Sequence, residues 1–484
     1  MGTTTPSRIQ TDVAIIGAGT AGLHALREVR RANKDFYLID HGPLGTTCAR
    51  VGCMPSKSAL HAAAVWAARR QLTALGVTGV DQLDIDLQAA WAHVRGQRAH
   101  FAASAADQAR QAAGERLLHG RARLIEPTLI EIETPEGALH LHARRVIIAT
   151  GSRPVLPRFL DSVRERTVTT DELFDLPTLP RSVGVLGLGA VGLEMGVALA
   201  RLGVRVIGAD QAARVAGISD PQIASRAREC FDHLTPLWLG AQARVERARD
   251  GVRITAGEQS ETVDVLLAAL GRQANVDGLD LDEAGVPLDR KGIPVFDRAT
   301  LQLGELPVFI AGDANADRPL LHEAADQGAI AGYNACVETP LRFARKVPLG
   351  IAFCAPDVVT VGAAWDELDA DRIVVGSAEA ARNGRAIIED STHGLLRVYA
   401  DAGSGRLLGA SMVTAGGEHL GQWLAWAVQR RETARDLLAG VFYHPTLEEM
   451  LQSALQDIVR QIDSGASHPL GVLPLAPQDK ASAP

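Results

Sequence analysis

Cysteine is scarce in this chain. Five are spread over 484 residues, too few for a secreted disulfide scaffold, and the count fits a reducing, cytoplasmic setting. Lysine is scarce too: only five of the 49 basic residues are lysines, and the rest are arginine. Nowhere do five basic residues stand together, and the net charge is −8, so no nucleic-acid partner is expected. The opening MGTTTPSRIQ holds no apolar run, and with it no signal-peptide pattern. A membrane-crossing run is lacking as well. The most apolar stretch, 183–209, is broken by Glu194, Arg201, Arg205 and several glycines, so no membrane is expected. What is present is globular: 46% hydrophobic and 22% charged residues, in a chain long enough for about two to four domains.

The organising feature is an internal repeat. IIGAGTAGLHALREVRRANKDFYLID (15–40) aligns without a gap on VLGLGAVGLEMGVALARLGVRVIGAD (185–210). Gly17, Gly19 and Gly22 match Gly187, Gly189 and Gly192, and Asp40 matches Asp210. Each copy reads as strand, glycine turn, helix, strand and terminal acid. The first glycine permits a tight turn, the second lets backbone approach a pyrophosphate, and the third lets helix pack on strand. The helix N-terminus offers N–H groups to phosphate, and the acid accepts from ribose hydroxyls. Two such copies predict two dinucleotide sites.

The domains follow from the repeat. Residues 1–150 hold the first unit, with alanine-rich helices inserted over 58–115. Residues 151–275 hold the second, after the turn TGSRP. Residues 276–346 contain PVFIAGDAN (307–315), a buried strand leading into glycine and aspartate. From 347 to 465 the pattern becomes α+β, with strands expected at DVVTVGAA, RAIIED, GLLRVYA and LLGASMV and two helices. The proline- and alanine-rich residues 466–484 read as a flexible tail.

Two of the five cysteines stand close together in GTTCARVGCMPSK (45–57), as Cys48 and Cys53. Zinc wants four ligands, and Cys230, Cys336 and Cys354 are isolated, without a partner at ligand spacing. A structural pair and a redox disulfide remain, and the redox reading is preferred. In a regular helix residues five apart rise about 7.5 Å, whereas a disulfide holds Cα atoms roughly 4.4–6.8 Å apart. The backbone must therefore bend, and Gly52 is the residue expected to allow it. The pair also follows Asp40 closely, within reach of a ring bound to the first unit.

With these motifs together, and with ATGSRP, AGDAN and a late HPTLEE, the chain resembles the flavoprotein disulfide reductases, the pyridine nucleotide-disulfide oxidoreductases. It is most similar to the dihydrolipoamide dehydrogenase branch. The resemblance runs over about 13–460 and implies an α/β fold: two Rossmann-like dinucleotide-binding domains plus a C-terminal α+β dimerisation domain. It implies FAD in the first unit, a nicotinamide nucleotide in the second, and a homodimer.

Residue roles follow by the same resemblance. Cys53 would face the flavin and Cys48 the dithiol or disulfide substrate, possibly borne on a lipoyl protein. Lys57 would lie near the flavin, paired with Glu194. Asp313, Thr150, Gly151 and Ser152 would hold the cofactor, with Leu320, Leu321 and His322 along its edge. Ala122 and Gly271 are also assigned to the cofactor sites. His444 and Glu449 would form the proton-shuttling pair, with His444 reaching the disulfide of the other subunit. A carboxylate at Asp210 accepts ribose hydroxyls and repels a 2′-phosphate, which favours NAD; Arg205 and Arg214 lie near it but not at the acid position. Three features depart from the lipoamide pattern: Arg50 between the cysteines, Phe442-Tyr443 before His444, and Cys354 in FCAPD (353–357). If the segment is roughly helical, Arg50 shares a face with Cys53 and either lowers a thiol pKa or attracts an acidic carrier; a plain solvated arginine in an arginine-rich chain is the preferred reading. A reductase of another small disulfide and a flavin-bound redox sensor are the rival functions.

Overall fold

The computed structural model describes residues 7–463, 469–472 and 474. The first sheet is built around the strand Ser7–Ile16, flanked in parallel by Phe36–Asp40 and Gly137–Ile148. Leu117–His119 extends one edge, and Leu129–Thr134 and Arg121–Glu126 extend the other as antiparallel strands. Val308–Ile310 returns from far along the chain to pair in parallel with Val146–Ile148.

Alternation along the central strand sends its residues to opposite faces. Val13 and Ile15 pack with Ala25, Leu26 and Val29 of the helix Thr20–Arg31, whereas Ala14 and Ile16 pack with Ile130, Val146 and Ile148. The helix Leu321–Asn334 lies directly on Thr20–Arg31. A Cβ on Gly328 would come within 2.2 Å of the Ala21 carbonyl oxygen, so only glycine permits this approach.

The second sheet is parallel throughout, in the order Leu237–Leu239, Arg205–Asp210, Ser182–Leu186, Val265–Ala268, Thr167–Thr169. The glycine-rich sequence gives no hint of the antiparallel meander Arg244–Ala248, Gly251–Ala256, Gln259–Val263 that packs over this sheet. The chain crosses between the two units twice, at Ser152–Pro154 and Arg272–Ala274, and the two crossings pair as a short antiparallel sheet.

The C-terminal domain is an antiparallel sheet in the order Leu349–Ala352, Asp357–Gly362, Leu407–Thr414, Leu395–Asp401, Ile373–Glu379. The helices Gly417–Arg430 and Glu449–Ile462 cover it. One expected strand is wrong: RAIIED is the helix Gly384–Ile388. Asn383 caps it by accepting from the Ala386 N–H at 2.9 Å, and this local bond outweighs the β-branched pair that suggested a strand. The strand at that edge is instead Ile373–Glu379. The tail expected from residue 466 falls largely outside the described residues; Leu470, which is described, packs against the C-terminal core. Among the described residues no helix is long and apolar enough to cross a membrane.

Candidate active site

The two glycine loops share one stereochemistry. Gly17 and Gly187 have φ of +111° and +88°. A Cβ there would also strike the carbonyl oxygens of Ala149 and Ala269 at 2.3 and 2.4 Å. Gly22 and Gly192 stand so close to their turns that a Cβ would lie 1.9 Å from the carbonyl oxygens of Gly17 and Gly187. Gly19 and Gly189 differ: nothing lies within 4 Å of the place a Cβ would occupy. That space is at the N-termini of Thr20–Arg31 and Ala190–Leu202, neither of which has a side-chain cap or an acid in its first turn. Both ends therefore present N–H groups and positive dipole ends to an anion.

Asp40 accepts from the N–H groups of Ala18 and Gly42 at 2.7 and 2.6 Å. Asp210 accepts from Leu188 and Ala212 at 2.6 and 2.8 Å. Each acid thus ties its strand end to its glycine loop. A carboxylate has about four acceptor sites, so hydroxyls can still be bound.

A main cavity runs from Gly19 through Cys48 and Cys53 to Gly271 and Val191, and Lys57, Glu194 and Asp313 also line it. Cys48 lies on the short helix Thr47–Arg50, and Cys53 opens the helix Cys53–Ala68. The chain does bend between them, but Gly52 serves by closeness rather than by a left-handed φ. A Cβ on it would sit 3.2 Å from the Thr47 carbonyl oxygen and 3.3 Å from Cys48 Cα. The two cysteines are not joined to each other. The Cys48 thiol, acting as donor, lowers Cys53 to about 7, with Lys57's charge acting the same way and burial opposing. Its place at a helix N-terminus favours the thiolate as well. Cys48, as donor and partly buried, is pushed well above its ordinary value. Cys53 therefore ionises first.

The shared face considered for Arg50 and Cys53 is not found. Arg50 ends one helix and Cys53 begins the next, so the two share no helical face. Arg50 donates to the Pro43 carbonyl at 3.2 Å, its stem packs over Gly45, and the cation that acts on Cys53 is Lys57. Arg98, which the sequence did not single out, donates to the Arg50 carbonyl at 2.5 Å and to Asp175 at 2.6 Å. It ties the cysteine segment to the second unit.

Lys57 Nζ stands 2.8 Å from both oxygens of Glu194. The helices that carry them share one core, in which Ala59 and Ala63 meet Leu193 and Val197. Glu194 also accepts from the Phe353 N–H at 2.9 Å, and Lys57 lies over the Phe353 ring, 4.5 Å from its centroid. The C-terminal domain thus reaches the Lys57–Glu194 pair through FCAPD. Cys354 is fully buried, and its carbonyl accepts from Arg201 at 2.8 Å.

Asp313 accepts from Ser152 Oγ at 2.7 Å through Oδ2. Thr150 Oγ1, beside the lining residues Ala149 and Gly151, is buried without a hydrogen-bond partner. The open space at Gly19, the uncapped helix end and this orphaned hydroxyl fit an extended dinucleotide with a ring over the thiols. Pro319, Leu320 and Leu321 line the cavity, and His322, exposed on the same helix as Leu321, is not among the lining residues. Ala122 is buried in the sheet core with Ile132 and Leu141 and is not among the residues lining the cavity. Asp210 and Gly189 line a second cavity with Gln211, Gln242 and Phe159.

His444 Nδ1 meets Glu449 at 3.0 and 3.1 Å. The imidazole and the Thr446 N–H hold the Glu449 carboxyl below its ordinary range. Within one chain this pair and the thiols line separate cavities. His444 is largely exposed, beside the exposed Val441 and Tyr443.

Two dinucleotide units facing a thiol pair, followed by a C-terminal sheet domain, define a flavoprotein disulfide oxidoreductase. The chain belongs to the pyridine nucleotide-disulphide oxidoreductases: residues 11–329 match that family's model and 349–455 match its dimerisation domain. Members use FAD and a pyridine nucleotide. Dihydrolipoyl dehydrogenase of Vibrio cholerae is 28% identical over 463 residues, covering 93% of this chain and 95% of the relative. That of Bacillus subtilis is 27% identical over 457 residues, covering 92% and 97%. Among solved structures, LpdA from Mycobacterium tuberculosis superposes with a TM-score of 0.81 at 25% identity, covering 93% of this chain and 99% of that one. The HOCl-induced flavoprotein disulfide reductase RclA from Escherichia coli, as its Cu(II) complex, shares the fold, with a TM-score of 0.80 at 22% identity and coverage of 93% and 99%.

Proposed function

We propose that the chain is an FAD-dependent, NAD-linked dihydrolipoyl dehydrogenase acting as a homodimer. The observation that carries the redox reading is geometric: Cys48 and Cys53 line one cavity with the glycine loop at Gly19, Cys53 opens its helix, and Lys57, one turn on and tied to Glu194 at 2.8 Å, favours a thiolate at Cys53. In a disulfide the sulfur of lower pKa leaves faster, so attack falls on Cys48. A substrate thiolate bonds to Cys48 Sγ, the Cys48–Cys53 bond breaks, and Cys53 leaves as a thiolate. The second substrate thiol loses its proton to His444 of the second copy, with Glu449 fixing the imidazole tautomer. It then attacks the substrate sulfur held on Cys48. The substrate disulfide closes, Cys48 is released, and the protein holds two more electrons.

Gly17, Gly19, Gly22, Asp40, Thr150, Gly151, Ser152 and Asp313 would hold FAD, with Leu320 and Leu321 along its edge. FAD supplies a two-electron carrier between the dithiol and the nicotinamide. Gly187, Gly189, Gly192, Asp210 and Gly271 would hold NAD, and the acid at Asp210 supports that choice over NADP. The near full-length likeness to dihydrolipoyl dehydrogenases supports the lipoyl substrate.

Steady-state assay of the purified chain with dihydrolipoamide and either NAD or NADP tests this. Turnover with NAD is expected. Its absence, with NAD(P)H-driven reduction of another small disulfide, would replace the lipoyl assignment. Tyr443, 77% exposed just before His444, is the feature that favours this second reading.

A further inference from the structure

Arg272 and Ser152 sit on the paired crossings between the two units and form a chain of hydrogen bonds. Arg272 Nη1 donates to Asp171 Oδ1 at 2.9 Å and Nη2 to the Ser152 carbonyl at 2.7 Å. Its Nε–H donates to Ser152 Oγ at 2.8 Å. The serine hydroxyl, with that lone pair occupied, turns its own hydrogen to Asp313 Oδ2 at 2.7 Å. We propose that Arg272 is a positioning residue for the flavin site: it fixes the Ser152 hydroxyl, which in turn fixes Asp313 with Oδ1 left open for a cofactor hydroxyl.

Three features of the structure carry this. Arg272 spends three donors on acceptors it reaches at once, anchored by Asp171 in the second unit, so its planar fork cannot rotate without breaking several bonds. A guanidinium donating to a hydroxyl polarises that hydroxyl as a donor, which strengthens the next bond to the carboxylate. The strand that begins at Arg272 pairs with Ser152–Pro154, and Arg153 adds bonds to Asn275 and Asp277, so the backbone beneath the chain is pinned. A lysine has the charge but not the fork, and cannot hold Asp171, the Ser152 carbonyl and its hydroxyl together.

This inference rests on the assignment of Asp313 to FAD. The test is a double-mutant cycle on flavin affinity, read from the fluorescence of released flavin. Arg272→Lys and Ser152→Ala should each weaken FAD by about tenfold, the loss of one charge-assisted link. Because both act through one hydroxyl, the double variant should also lose about tenfold rather than about a hundredfold. Asp171→Ala, which removes the acceptor at the far end of the guanidinium, should weaken FAD in the wild-type background and have little effect with Ser152→Ala; it serves if Arg272→Lys fails to fold. Additive losses, or flavin affinity unchanged by any of these variants, would overturn the relay. A wild-type chain that binds no flavin would overturn the Asp313 assignment as well.

Discussion

Lys57 and Glu194 touch the same thiol with opposite signs, so replacing each should move Cys53 in opposite directions. Cys53 and Lys57 stand one turn apart on the helix Cys53–Ala68, which places their Cβ atoms about 5–6 Å apart. A unit charge at about 6 Å in an effective dielectric of ~20 interacts by about 2.8 kcal/mol, or ~2 pH units. Glu194, 2.8 Å from the ammonium, offsets part of this, and Lys57 is 36% exposed; screening leaves about one unit. Lys57→Met should therefore raise Cys53 from about 7 by ~1 unit and lower its thiolate fraction at neutral pH. Glu194→Gln should lower it further and raise that fraction. Lys57→Met also leaves a carboxylate only 3% exposed without its cation, at a cost of about 2–3 kcal/mol in stability after allowing for the exposed lysine head.

The assay is the pH dependence of Cys53 alkylation in the reduced protein, followed by peptide mass. The other thiols leave the window clear. Burial pushes Cys230 and Cys336 up to about 11 and Cys354 well above its usual value, and Cys48 also titrates high. Both variants break the ion pair, so a purely structural role would shift both titrations the same way. That result, or no shift in either, would refute the reasoning.

Further outcomes follow from the same geometry. Cys48→Ser should keep FAD and a long-wavelength band arising at Cys53 but lose disulfide turnover, and Cys53→Ser should lose the band as well as turnover; equal long-wavelength absorbance in the two would contradict the assignment. Asp210→Ala should raise KM for both nucleotides, because the Leu188 and Ala212 bonds are lost, and should relax the discrimination against NADP; an unchanged NADH/NADPH ratio of kcat/KM would mean that the acid does not face the ribose. Gly22→Ala would drive a Cβ to 1.9 Å from the Gly17 carbonyl oxygen and should cost about 3 kcal/mol or more in denaturant unfolding. Gly19→Ala, with open space around it, should leave stability unchanged and weaken flavin binding; the opposite order of effects would contradict the loop assignment.

The glycine loops were legible because sterics write themselves into residue type: where a Cβ cannot fit, the sequence must spell glycine. The parallel sheets followed from the repeat. The pairing of Lys57 with Glu194 was carried by family resemblance, since no spacing rule joins residues 137 positions apart. Arg272, Arg98 and Phe353 were missed for a related reason. Each acts through contacts between residues far apart in the chain, which leave no periodic trace; the one available signal for Arg272 was its place directly after Gly271. Gly384–Ile388 misled because an asparagine cap outweighs β-branched residues only once the backbone bond is seen. The shared face considered for Arg50 required an unbroken helix, and the helix breaks between Arg50 and Cys53.

The central claim is that Cys48 and Cys53 cycle between disulfide and dithiol. Alkylation in denaturant of the purified, air-oxidised enzyme, taken before and after anaerobic reduction of the native protein by NADH, with the labelled peptides identified by mass, tests it directly. Reduction should add two labels, both on the segment that carries Cys48 and Cys53, and none at Cys230, Cys336 or Cys354. No gain on reduction, or a gain at any of those three cysteines instead, would contradict the account.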